Sequence, residues 1–101
     1  MTEKAWKVTE RKIAAMIGGE RIPITGRIRG DVPDIEHSWL SPEIKHRKEI
    51  PKWLHDAYDQ ANQSAKPDQL PVVILHEERQ RHQNDYVLIR LKDFVDYFGK
   101  G

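Results

Sequence analysis

The sequence predicts one small α/β domain over residues 1–101. Two stretches of helical periodicity, one near the N-terminus and one in the middle, are separated by short extended segments. A continuous apolar run, Val72-Val73-Ile74-Leu75, reads as a strand covered on both faces. No internal repeat, linker or low-complexity stretch interrupts the pattern. At 101 residues the core is modest, so pairing with a second copy would add useful burial.

Thr9 is placed to cap a first helix from Glu10 to Ile17, with Val8 and Ile13 as a hydrophobic staple. Ile13, Met16 and Ile17 form its apolar stripe, and Gly18-Gly19 stops it. From Glu20 to Gly30, Ile22, Ile24 and Ile28 alternate with Arg and Gly, which predicts a bent hairpin or an extended loop. Val32 to His37 and Leu40 to Lys45 read as two short strands turning at Ser38 and Trp39. Pro51 opens a second helix that runs to about Ala65, with Trp53, Leu54, Ala57, Tyr58 and Ala61 on one face. Lys66-Pro67-Asp68 ends it. Pro71 to His76 is the apolar strand, Glu77 to Asp85 a polar turn, and Tyr86 to Leu91 a further strand. Lys92 to Phe98 closes the chain as a helix or turn, with Phe94, Val95 and Phe98 packing inward. The predicted order is α-β-β-β-α-β-β-α.

There is no cysteine, which excludes a disulfide framework, a thiolate zinc cluster and a thiol nucleophile, and fits a reducing cytoplasm. No apolar run reaches membrane-spanning length, and the first residues do not read as a signal sequence. The formal net charge is +1, so bulk charge decides little about partners. The local distribution is more telling. Arg21, Arg27 and Arg29 precede a group of acids, and Lys45, His46, Arg47, Lys48 and Lys52 follow it. Basic groups around carboxylates are what draws a phosphate backbone to a metal. Each of these cations taken alone also reads as solvated surface.

The acids are Asp34, after Pro33, and Glu43, with Lys45 two residues further on. Two converging carboxylates hold a hard divalent cation such as Mg²⁺. Side chains alternate along a strand, so Lys45 shares the face of Glu43, where it can orient water or offset charge developing on a phosphodiester. A turn aspartate, an exposed strand glutamate and a surface ion pair are the plainer readings of the three. Asp31, beside Gly30, competes for the first acid but suits a turn better. Glu36, His37, His46, His55 and His76 match no compact zinc spacing and read as non-ligands. Trp39 and Trp53 could stack on bases, but core or dimer contacts suit them better.

Pro33-Asp34, the spacer, Glu43-Ile44-Lys45 and the order of elements around them resemble the PD-(D/E)xK nucleases, and within them the small phage and archaeal Holliday junction resolvases and the VRR-NUC type. The resemblance covers most of the chain. It implies a restriction-endonuclease-like α-β-β-β-α-β core, with a mixed central sheet flanked by helices. It implies a Mg²⁺- or Mn²⁺-dependent endodeoxyribonuclease acting on branched DNA as a homodimer or higher even oligomer, in the cytoplasm of a bacterial or archaeal host, encoded by that host or by a phage. Asp34, Glu43 and the Ile44 carbonyl would bind the metal, and Lys45 would serve the chemistry. Glu10 would add an acid from the first helix, where interaction with the helix dipole is the alternative. Gln60, or Gln63 one turn on, would be the site glutamine. Arg27, Arg29, Arg47 and Lys48 would hold DNA. The rivals are a non-catalytic DNA-binding module of the same fold, a general or nicking nuclease without junction preference, and an interaction domain in which the motif is accidental.

Overall fold

A computed structural model describes residues 4–22 and 35–101. The chain is a small mixed α/β protein. Its described elements are helix α1 (Ala5–Ile17), strands β1 (Glu20–Arg21) and β2 (Ile35–Glu36), helix α2 (Lys52–Ser64), strands β3 (Val73–Leu75) and β4 (Tyr86–Leu88), and helix α3 (Leu91–Phe98). The strands form two antiparallel two-stranded sheets, β1 with β2 and β3 with β4. Contacts divide the chain into two compact units, Lys48–Asp96 and the residues on either side of it.

In the flanking unit, α1 begins four residues before the predicted cap. The Lys4 carbonyl accepts from the Lys7 and Val8 amides at 3.0 and 3.3 Å, so the helix starts at Ala5. Nothing in Ala5-Trp6-Lys7 opposes helix, and Thr9 is left in mid-helix with no staple to anchor. Glu10, Ala14 and Ile17 are the buried residues. They follow the 3–4 spacing of one helical face, while Met16, expected on that face, is exposed. Gly18 ends the helix in the left-handed region, φ 75°, where a Cβ would be strained, as predicted for the glycine stop. Gly19 is needed for a different reason: a Cβ there would lie 2.7 Å from the Glu36 carbonyl oxygen, across the β1–β2 pair. Glu20 pairs with Glu36 and Arg21 with Ile35. Ile35 is the most enclosed large side chain among the described residues.

The strand expected from Leu40 to Lys45 does not form. Leu40, Pro42 and Ile44 are half-buried while Ser41, Glu43 and Lys45 are exposed, so the alternation is present without a ladder. Pro42 has no amide hydrogen to donate, and no strand among the described residues pairs with the segment.

In the Lys48–Asp96 unit, Pro51 precedes α2 as expected, and its carbonyl accepts from the Leu54 amide at 3.1 Å. Leu54, Ala57, Tyr58 and Ala61 turn inward, but Trp53 is 60% exposed. The helix stops at Ser64, ahead of Lys66, whose position before Pro67 disfavours helix. Helix α2 packs on β3, which pairs with β4 in the register Val73–Leu88, Ile74–Val87 and Leu75–Tyr86. The apolar run was expected to be buried on both faces. It is half-buried instead: Val73 and Leu75 turn inward, while Ile74 is exposed opposite an exposed Val87. A two-stranded hairpin packed on one helix has only one covered face. Phe98, expected to pack inward, is also exposed at the last position of α3.

Tyr58 is the buried centre of this unit. Its hydroxyl donates to Asp93 Oδ2 at 3.1 Å, and the Arg90 guanidinium lies 4.9 Å from its ring centroid. Burial pushes its pKa above the usual tyrosine value, the bond to Asp93 and that carboxylate's charge push the same way, and Arg90 opposes them. The folded state therefore keeps the phenol proton to higher pH than the unfolded chain. This contribution is fully present below about pH 10 and is lost as pH rises through the shifted value. Between about pH 9 and about pH 11, thermal unfolding followed by circular dichroism should drop more for the native chain than for Tyr58→Phe. Parallel drops would show that Tyr58 is not the group responsible.

Candidate functional site

Glu43 and Lys45 occupy the exposed side of the extended 40–45 segment, each with a side chain 67% accessible. Lys45 Nζ lies 3.2 Å from Glu43 Oε1. The shared face expected from their spacing is present, and the pair is open to an incoming anion. The Ile44 side chain is half-buried between them, holding the segment against the protein. His46, the next residue, fastens the segment to α1 through a 2.7 Å bond between its Nδ1 and Thr9 Oγ1. Thr9 thus serves as an anchor in mid-helix rather than as a cap. Asp34, Asp31, Arg27 and Arg29 lie outside the described residues. Arg47 and Lys48 are exposed.

Glu10, the next residue along α1 from Thr9, is buried. Its carboxylate accepts from Arg21 Nε at 3.0 Å, and its side chain is 10% exposed. It lies in the second turn of α1, so the helix-dipole role expected of a first-turn acid does not apply. The Arg21 guanidinium is also 5.8 Å from the Trp6 ring centroid. Gln60 and Gln63 are both exposed on α2.

The histidines differ from one another. His37, read from sequence as surface, ties three backbone groups together. Its Nδ1 accepts from the amides of Trp39 (3.2 Å) and Leu40 (3.0 Å), which fixes the tautomer, so Nε2–H donates to the Ile17 carbonyl at 2.6 Å. His55 is exposed on α2. His76, also read as a non-ligand, meets two residues that the sequence reading did not single out, His82 and Asp85. Asp85 receives His76 Nδ1 on one oxygen at 2.7 Å and His82 Nδ1 on the other at 3.3 Å. The bond from His76 is the main cause holding the Asp85 carboxyl below the usual range; His82 acts the same way and desolvation opposes both. That contribution to stability is present above the ordinary carboxylate range and is lost as pH falls below it. The available signal in the sequence was the spacing itself: His82 and Asp85 stand one tight turn apart, and His76 ends the strand that pairs with the one Asp85 begins.

Trp39 and Trp53 are both exposed, as are Trp6, Tyr97 and Phe98. A cleft of about 210 Å³ in the Lys48–Asp96 unit is lined by Leu54, Tyr58, Leu88 and Ile89 among others, and is largely apolar. No described helix is long and apolar enough to cross a membrane. Comparisons with family models, curated proteins and solved structures returned no match to this chain.

The burial of Glu10 makes its role testable. Glu10→Ala leaves the Arg21 guanidinium facing a partly buried, uncompensated site and should cost about 2 kcal/mol in chemical denaturation, less than a fully buried pair because Arg21 keeps some solvent. The double variant Glu10→Ala/Arg21→Ala should be destabilised by less than the sum of the two single changes. Strict additivity would show that the pair is not coupled.

Proposed function

We propose that the protein is a divalent-metal-dependent phosphodiesterase acting on DNA, of the PD-(D/E)xK kind, with its chemistry at Glu43 and Lys45. The observation that carries this reading is the exposed carboxylate and ammonium lying side by side on one face of the 40–45 segment. An ion pair this exposed adds little to stability, so its placement is better accounted for by what it can bind. The described elements run α1, β1, β2, α2, β3, β4, α3; the expected strand over Leu40 to Lys45 is absent, and the described strands form two separate antiparallel pairs where the resemblance implies one mixed central sheet.

Glu43 offers oxygen ligands suited to Mg²⁺ or Mn²⁺, with the Ile44 carbonyl and Asp34 completing the proposed set. The bound cation would supply Lewis-acid polarisation of the phosphodiester and acidify the attacking water. Lys45 contributes a fixed positive charge. On leaving Glu43 for a non-bridging phosphate oxygen, it offsets charge that grows as the water oxygen bonds to phosphorus and the ester oxygen departs with a proton. Glu10 belongs to the scaffold in this reading, because its carboxylate is engaged with Arg21. Arg47 and Lys48 supply phosphate contacts in this reading, together with Arg27 and Arg29.

Branched DNA as substrate and an even-numbered assembly are the finer part of the proposal. Its support is the exposure of Trp6, Trp39, Trp53, Tyr97 and Phe98, apolar surface of the kind that partner contacts cover. The same exposure favours the second reading, a binding module without catalysis.

Labelled duplex, flap, single-stranded and four-way junction DNA incubated with Mg²⁺ should be cleaved, and EDTA should stop it. Glu43→Gln should lower the single-turnover rate by about a hundredfold or more, and Lys45→Ala should lower that rate more than it lowers DNA affinity. Undiminished cleavage by Glu43→Gln would remove the site assignment. Metal-dependent binding without cleavage by the native chain would establish the second reading.

A further inference from the structure

We propose that His76, His82 and Asp85 form a binding site for a borderline transition-metal ion, Zn²⁺ in the first instance, on the β3–β4 hairpin. The site is independent of the phosphodiesterase reading and uses none of its residues. Among the described residues this is the one group of three such side chains whose potential ligand atoms all lie within 4.8 Å of one another.

The backbone brings them together. Continuing the β3–β4 register one step beyond Leu75–Tyr86 sets His76 opposite Asp85, on one face of the hairpin. His82 opens a 3₁₀ turn over His82–Asn84, and the Asp85 amide donates to its carbonyl at 3.0 Å, which returns the chain to β4 with His82 facing the same carboxylate. All three ligands come from one ten-residue span, so little chain entropy opposes their convergence.

The distances suit a small cation. Tetrahedral ligands about 2.05 Å from Zn²⁺ are about 3.3 Å from each other. His82 Nδ1 lies 3.3 Å from Asp85 Oδ2 and His76 Nδ1 2.7 Å from Asp85 Oδ1, and the three ligand atoms, one from each residue, fall within 4.8 Å of one another, so small side-chain rotations bring them to that spacing. The imidazole rings are stacked with centroids 4.2 Å apart. Neutral imidazole is the form in which histidine binds metal. Asp85 is held 13% exposed while His82 is 82% exposed, so the anchor is fixed and the outer ligand is free to adjust. Three protein ligands leave a fourth position for water or a substrate atom. Two imidazoles select zinc, nickel or copper over magnesium, which separates this site from the oxygen site proposed at Glu43.

The test is calorimetric titration of the EDTA-treated full chain with zinc chloride, in the absence of DNA. One ion per chain should bind with micromolar affinity, and magnesium chloride should produce no comparable binding. His82→Ala removes an exposed ligand without disturbing the core. It should weaken zinc binding by about tenfold or more, since loss even of a group supporting a ligand has that effect. Asp85→Asn should do the same, and His55→Ala, an exposed histidine outside the group, should leave affinity unchanged. Binding only at millimolar zinc, undiminished affinity in His82→Ala, or an equal loss in His55→Ala would each overturn the proposal. Because no nuclease assay enters the titration, its failure would leave the Glu43 site untouched.

Discussion

Little apolar surface is fully enclosed among the described residues, and that scarcity makes the polar contacts between elements the constraint on which the rest of the structure depends. Among the described residues, the buried apolar side chains are Ala14, Ile17, Ile35 and Tyr58. A core of this size leaves several backbone arrangements close in energy, and polar contacts select among them. These contacts join one element or turn to another. Glu10 and Arg21 join α1 to β1, His37 joins the end of α1 to the turn at Trp39 and Leu40, Tyr58 and Asp93 join α2 to α3, and Asp85 joins the two ends of the hairpin turn. No buried side-chain nitrogen or oxygen among the described residues lacks a partner, so these contacts carry no desolvation cost left unmet.

The same arrangement sets what is left for function. Glu10 is committed to Arg21, and His37 has both ring nitrogens engaged. Glu43, Lys45 and His82 are bound only by exposed contacts that a ligand can replace at small cost. Locked scaffold contacts beside exchangeable exposed groups are what a preorganised site needs. The Thr9–His46 bond fastens the Glu43–Lys45 segment to α1, the helix that Glu10 ties to Arg21.

Local signals were the most legible in the sequence. The span of α2 after Pro51, the glycine stop of α1, the hairpin strands and the shared face of Glu43 and Lys45 all follow from spacing and backbone chemistry over a few residues. What sequence did not convey depended on long-range pairing. Leu40 to Lys45 has the alternation of a strand, but a strand also needs a neighbour, and Pro42 weakens its ability to recruit one. Val72 to Leu75 has the composition of a doubly covered strand, but composition does not reveal that α2 covers one face of the hairpin while Ile74 and Val87 stay exposed. Thr9 has the chemistry of a cap and instead bonds His46, a partner 37 residues away. The His76, His82 and Asp85 group was hidden for the same reason, because its convergence depends on a strand register rather than on a compact ligand spacing. The acid at Asp34 and the arginines at 27 and 29 belong to the part of the motif outside the described residues.

The central claim is that a divalent cation for phosphodiester chemistry is held at Glu43. Paramagnetic Mn²⁺ titrated into the ¹⁵N-labelled chain tests it most directly, because the ion broadens the amides nearest to it and excess Mg²⁺ displaces it from an oxygen site. The account predicts broadening centred on Glu43, Ile44 and Lys45 that Mg²⁺ reverses, whatever happens at the hairpin histidines. Broadening confined to residues 76–85, or broadening at Glu43 that Mg²⁺ does not reverse, would contradict it.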